Sequence, residues 1–144
     1  MRRKHKTNAR RGGSALEMAL LMPIYIFLLV GAFDWGFYAH ALISTENAAR
    51  VAALYTSGNS STAADATNAC KLVIQELSVA SNVSGVTTCN GLPVIVTATS
   101  KTGADGQPAS EVAVTYQTQQ LIPIPNLLKG QVTLYRVVQM RVRG

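Results

Sequence analysis

The sequence predicts an α+β fold: one long N-terminal helix, membrane-embedded in its first half, followed by a second helix and a small antiparallel β-sheet. Three observations carry that reading. A basic head precedes an apolar run from Ala15 to Phe33, and beyond it apolar residues recur at helical spacing, first to Tyr55 and again from Ala66 to Leu77. From Leu92 onward the spacing falls to two and β-branched residues dominate, as in a strand with one buried face.

The 144 residues carry a formal net charge of +6. That excess resembles a nucleic-acid signature until it is mapped: Arg2, Arg3, Lys4, Lys6, Arg10 and Arg11 all precede the first acidic residue, and the chain after Phe33 is nearly balanced. Lys and Arg flanking an apolar segment hold that end on the cytoplasmic side, so the N-terminus is expected inside and the rest of the chain outside. Membrane insertion would leave the head too short a tether to serve as a nucleic-acid arm, and no nucleic acid is expected as partner.

At ~1.5 Å per residue the run nearly matches the ~30 Å hydrocarbon core and can span it once. Pro23 removes a backbone hydrogen bond and is expected to kink the helix, with Gly31 as a second soft point; neither excludes a membrane helix. Asp34 marks the exit, where Trp35, Tyr38 and His40 place amphipathic rings at headgroup level. An ordinary secretory signal peptide is the alternative, since Ala39-His40-Ala41 supplies a small-x-small pattern. Against it, the run is longer than a usual signal core, contains Glu17, and leads into helical patterning that continues past Ala41.

Leu42, Thr45, Ala49, Ala52 and Tyr55 extend the helix outside the membrane, with Glu46 and Arg50 as an i,i+4 pair on another face. It is expected to end near Ser57-Gly58-Asn59, with Gly58 as a C-terminal cap. A second helix is expected from Thr62 to Ala80, capped by Ser61 or Thr62, with Ala66, Ala69, Cys70, Val73, Ile74 and Leu77 as its apolar stripe. Val94, Val96 and Ala98 then face one way in a strand. Lys101 to Ser110, with Asp105-Gly106 and Pro108, is expected as a loop, followed by strands over Glu111 to Gln117 and Gln131 to Arg141. Between the last two, Leu121-Ile-Pro-Ile-Pro125 and Asn126-Leu-Leu-Lys-Gly130 predict an irregular crossover, because proline cannot serve a central strand. The resulting division is residues 1–12 as a basic leader, 13–57 as the long helix, transmembrane over about 15–36, and 58–144 as an extracytoplasmic α+β domain.

The two cysteines, Cys70 and Cys89, fit a single disulfide in an oxidising compartment; two buried free thiols are the alternative. His5 and His40 stand in no nucleophile motif, and two histidines with two cysteines at these separations match no metal-site spacing. There is no glycine-rich phosphate loop. No enzymatic activity, cofactor, metal or small-molecule substrate is expected. Sequons occur at Asn59-Ser60-Ser61 and Asn82-Val83-Ser84, but such triplets are frequent by chance.

Glu17 is the anomaly. A carboxylate costs roughly 2.5 to 3.5 kcal/mol at the centre of a membrane helix, less near its ends, so a compensating partner is expected; an unpartnered carboxylate at the membrane surface is the plainer alternative. It closes the segment Gly12-Gly13-Ser14-Ala15-Leu16-Glu17, whose small residues leave the backbone open to a membrane-associated protease. This resembles the prepilin cleavage signal, in which a glycine is followed by four residues and a glutamate. The resemblance implies a cut by a prepilin peptidase between Gly12 and Gly13, and pairing of Glu17 with the N-terminal amine of a neighbouring subunit.

More specifically, Arg11-Gly-Gly-Ser-Ala-Leu-Glu-Met-Ala-Leu-Leu-Met-Pro23, Gly31-Ala-Phe-Asp-Trp-Gly36 and Thr45-Glu-Asn-Ala-Ala-Arg-Val-Ala-Ala53 resemble the TadE-like family, minor pseudopilins of tight-adherence (Flp) pilus systems. Met18 stands where an aromatic residue is frequent. The resemblance covers roughly Arg11 to Tyr55 and implies a pilin-like fold, a bacterial inner-membrane location, and other pilins or pseudopilins as partners through the N-terminal helix. The rival expectation is a signal-anchored ectodomain that binds an extracellular ligand and is neither processed nor polymerised.

Overall fold

The computed structural model of the protein describes residues 13–119 and 130–143. The basic head, Gly12 and most of the expected crossover lie outside the described residues. Helix α1 runs over Gly13–Thr56 and α2 over Ala66–Glu76, followed by strands β1 (Asn90–Gly91), β2 (Val94–Thr102), β3 (Pro108–Gln117) and β4 (Thr133–Arg141). The fold is α+β, as the sequence patterning predicts. Two compact units divide after Gly36, within the bounds of α1.

In the first unit, the six consecutive side chains Ile24–Leu29 are each between 55% and 61% exposed. Consecutive helical residues point in all directions, so no face of this segment is buried by the described residues, and a helix apolar all round calls for an apolar surrounding. It is the one helix, among the described residues, long and apolar enough to cross a membrane, with a mean hydropathy of 2.1 over its most apolar window. Pro23 lies within it without interrupting the helix.

The second unit is built on the rest of α1. Ala48, Ala49, Ala52 and Ala53 are fully buried in one core with Ala69, Cys70 and Val73 of α2 and the inner face of the sheet. Alanine forms helix at the lowest entropic cost and lets another element come close, so this four-alanine face suits helix packing on both counts. The expected Glu46–Arg50 pair forms on the exposed side, 2.6 Å apart.

The end of α1 differs from expectation. Gly58 is not in the left-handed conformation of a glycine cap; a Cβ there would approach the Tyr55 carbonyl oxygen to 3.2 Å. The last carbonyls are instead shared between backbone and hydroxyls: Ser57 N–H and Gly58 N–H donate to Ala53 O and Tyr55 O, while Thr56 Oγ1 donates to Ala53 O and Ser57 Oγ to Leu54 O. Helix α2 is also shorter than expected, and neither Ser61 nor Thr62 caps it. Ser61 Oγ donates to Asn59 Oδ1 and Thr62 Oγ1 to the Thr56 carbonyl, closing the turn after α1. Asp65 is the cap, accepting the Asn68 N–H at 3.0 Å. The segment expected to finish α2 forms successive three-residue turns, from Ala80 N–H to Leu77 O and from Val83 N–H to Ala80 O.

The sheet is antiparallel in the order β1-β2-β3-β4. Its inner rows read directly from the register: Val94 opposite Tyr116 opposite Leu134, Val96 opposite Val114, and Ala98 opposite Val112 opposite Val138. The ten-residue loop expected between β2 and β3 is a tight turn. Gly103 N–H donates to Gln107 O at 2.8 Å, Asp105 Oδ1 accepts the Gln107 N–H, and Gly106 takes a positive φ of 75°. Pro108 opens β3, a position where proline is tolerated because it begins the strand. Ser110 is fully buried, its hydroxyl between Thr56 Oγ1 and Ala63 O at 2.8 Å each.

Candidate functional site

Gly13 is the first residue of α1, and Glu17 follows one turn later, about 6 Å along the axis at ~1.5 Å per residue. Gly12, the other half of the expected processing site, lies outside the described residues. A Cβ built on Gly13 meets nothing within 4 Å among the described residues. Packing within the described chain therefore does not require glycine there, and neither does backbone conformation, since the residue is helical.

Glu17 is exposed and has, among the described residues, no hydrogen-bond or ion-pair partner. Around it Leu16, Met18, Leu20 and Leu21 are all exposed, Leu16 to 68% and Leu20 to 71%. A carboxylate set in such a surface is at ease in water and penalised as soon as that surface is covered by lipid or by another helix, unless a cation comes with the cover. The opening of α1 thus holds two features that the described residues leave unused: an unhindered glycine and an uncompensated acid. Asp34, the next carboxylate along the helix, closes the apolar stretch Met18–Phe33 at its other end.

The expected cysteine pair is a disulfide, Cys70 to Cys89, with Cα atoms 5.7 Å apart and both residues buried. It ties α2 to the chain just before β1 and lies in the second unit, so it supports that unit's core and takes no part in the chemistry at Glu17.

A second polar cluster joins α1 to α2 and was not expected from the sequence. Tyr55 Oη donates to Asp65 Oδ2 at 3.0 Å, and Asn68 Nδ2 donates to the same oxygen at 2.7 Å. The Asn68 backbone and side-chain amides hold the Asp65 carboxyl below its ordinary range. The hydrogen bond to Asp65 raises the Tyr55 phenol above its ordinary value, with desolvation adding to it. The available signal was Asp65-Ala66-Thr67-Asn68, an N-cap residue directly before the apolar stripe.

No curated protein and no solved structure matches the chain. The model of the TadE-like protein family matches residues 12–54, the stretch on whose motifs the resemblance rests; this N-terminal segment is similar to that family, which supports involvement in a tight-adherence pilus system in general.

Proposed function

We propose that the chain is a minor pseudopilin that takes part in assembling a tight-adherence pilus. A prepilin peptidase cuts between Gly12 and Gly13, the apolar part of α1 anchors the product in the inner membrane, and the α+β domain lies on the extracytoplasmic side. The six basic residues of the head hold the uncut N-terminus in the cytoplasm. The new amino group at Gly13 and the Glu17 carboxylate of a neighbouring subunit then pair, so that helix contacts replace lipid contacts without stranding a charge. The protein works by position and pairing rather than by catalysis.

The observation that carries this reading is the pair of features opening α1: among the described residues, Gly13 is sterically unhindered and Glu17, one turn on, stands uncompensated in an apolar surface. Intact-mass spectrometry of the protein extracted from its native membrane tests it. A mass for a chain beginning at Gly13 is expected. A chain that keeps its basic head would overturn the reading and favour the anchored, unprocessed binding domain.

A further inference from the structure

We infer that the two carboxylates of the first unit make α1 a gauge of bilayer thickness: it fits a thin membrane as a single chain, and a thicker membrane drives copies of the chain together. The inference rests on the membrane-spanning reading of α1 and extends it.

Glu17 and Asp34 lie in one uninterrupted helix. Seventeen residues apart at ~1.5 Å per residue, they are about 25 Å distant along the axis, against ~30 Å for an ordinary hydrocarbon core. Everything between them is apolar or small, from Met18 to Phe33, and Ile24–Leu29 is exposed around the whole circumference. The outer end is the better anchored. Asp34 is followed at once by Trp35, the chain's only tryptophan, a residue that favours the headgroup level. The shortfall therefore falls on Glu17, which an ordinary bilayer draws a few ångströms below its inner boundary. Tilting makes this worse, since it shortens the span along the membrane normal, so the chain is left with thinning the bilayer locally, reaching back to the interface with the Glu17 side chain, or associating; the side chain's reach is fixed and thinning costs more with each added ångström, so association gains weight as the bilayer thickens. Were Glu17 apolar, the run would extend from Gly13 to Phe33, long enough for ~30 Å, and the mismatch would vanish. The bilayer itself is the matching surface, and the property recognised is its acyl-chain length.

The test uses the full chain with a fluorophore on a C-terminal tag, reconstituted into phosphatidylcholine vesicles with acyl chains of 14, 18 or 22 carbons. Energy transfer between donor- and acceptor-labelled copies reads self-association. The association constant is expected to rise at least tenfold from the thinnest to the thickest vesicles. Glu17→Leu and, independently, Asp34→Leu each lengthen the apolar run and are expected to cut that rise to less than threefold. An unvarying response in the parent chain, or an undiminished one in both variants, overturns the proposal while leaving the anchor intact. Release of the parent chain from vesicles by alkaline carbonate overturns the membrane-spanning reading and this proposal with it.

Discussion

Asp65 does two tasks with one carboxylate: Oδ1 caps α2 through the Asn68 N–H, and Oδ2 holds the Tyr55 hydroxyl that reaches across from α1. Because the folded carboxyl is held below its ordinary pKa, its contribution to stability is present above about pH 4, where the unfolded group is ionised, and is lost as pH falls through the lowered folded value. The Tyr55 phenol is raised, so its contribution is present below about pH 10 and is lost as pH rises through the higher folded value. Tyr55→Phe removes the link and leaves the cap. The variant should melt below the parent chain at neutral pH, and the gap in Tm should narrow toward both acidic and alkaline extremes. A gap independent of pH in a thermal titration would mean that the aromatic packing of Tyr55, rather than its hydroxyl, matters. The disulfide acts on a larger scale of energy with the same locality. Closing a loop of about 20 residues restricts the unfolded chain by about 3 kcal/mol, so Cys70→Ser with Cys89→Ser is expected to lose that much in denaturant unfolding of the second unit.

Among the elements, α1 shows how differently two stretches of one helix are constrained. Ala52 is fully buried in the core while Leu54, two residues on, is 58% exposed. Ala52→Leu must push apart elements already in contact and is expected to cost about 1–3 kcal/mol, whereas Leu54→Ala is expected to stay within about 0.5 kcal/mol of the parent; urea unfolding of both variants measures the contrast. This face was partly legible in the sequence: Thr45, Ala49 and Ala52 recur at the expected helical spacing and are buried, whereas Ala48 and Ala53 beside them, equally buried, fall outside the expected stripe. The alternation of Val94, Val96 and Ala98 likewise announced β2 and its inner face. The boundaries were less legible, for a common reason: small hydroxyl residues have two uses. Ser61 and Thr62 have the chemistry of helix caps but close the turn after α1, leaving capping to Asp65. Ser110 reads as a loop residue, yet its hydroxyl is satisfied by Thr56 and Ala63 in the core, and β3 runs through it back to Pro108. Which partner a hydroxyl finds depends on the tertiary fold, and spacing along the chain does not encode it. Arg136 makes the same point on the edge strand β4: it occupies an inner-face position opposite Val114, half-buried, where alternation alone would place an apolar residue. A charge turned inward on an edge strand is one of the devices that discourage pairing with another sheet.

At the scale of the whole molecule, the features of its two units answer different questions. The second unit satisfies itself: its core is closed, its cysteines are joined, and no buried side-chain nitrogen or oxygen among the described residues lacks a partner. Among the described residues, the first unit leaves the side chains of Ile24–Leu29 open on every side and Glu17 uncompensated. Gly31 and Gly36 lie in the helix, and a Cβ added at either would meet nothing within 4 Å, so contacts inside the described chain do not repay the roughly 1 kcal/mol that each glycine costs a helix. Such positions suit close approach by another helix, which is how membrane helices associate without a hydrophobic drive. The sequence carried this division in its composition, since an apolar run with one misplaced carboxylate is readable without a fold; under the pseudopilin reading, the partner that corrects the misplacement belongs to another chain. Two substitutions separate maturation from assembly under the pseudopilin reading. Replacing Gly12 with a bulky residue should block processing, so that intact mass retains the head and no fibre-associated protein appears. Glu17→Gln keeps shape and polarity but removes the charge that an amino group would neutralise. It should mature to a chain beginning at Gly13 yet fail to join its partners in crosslinking from native membranes. Normal crosslinking by the matured Gln variant would remove the charge pair from the mechanism and leave helix packing alone to hold the assembly.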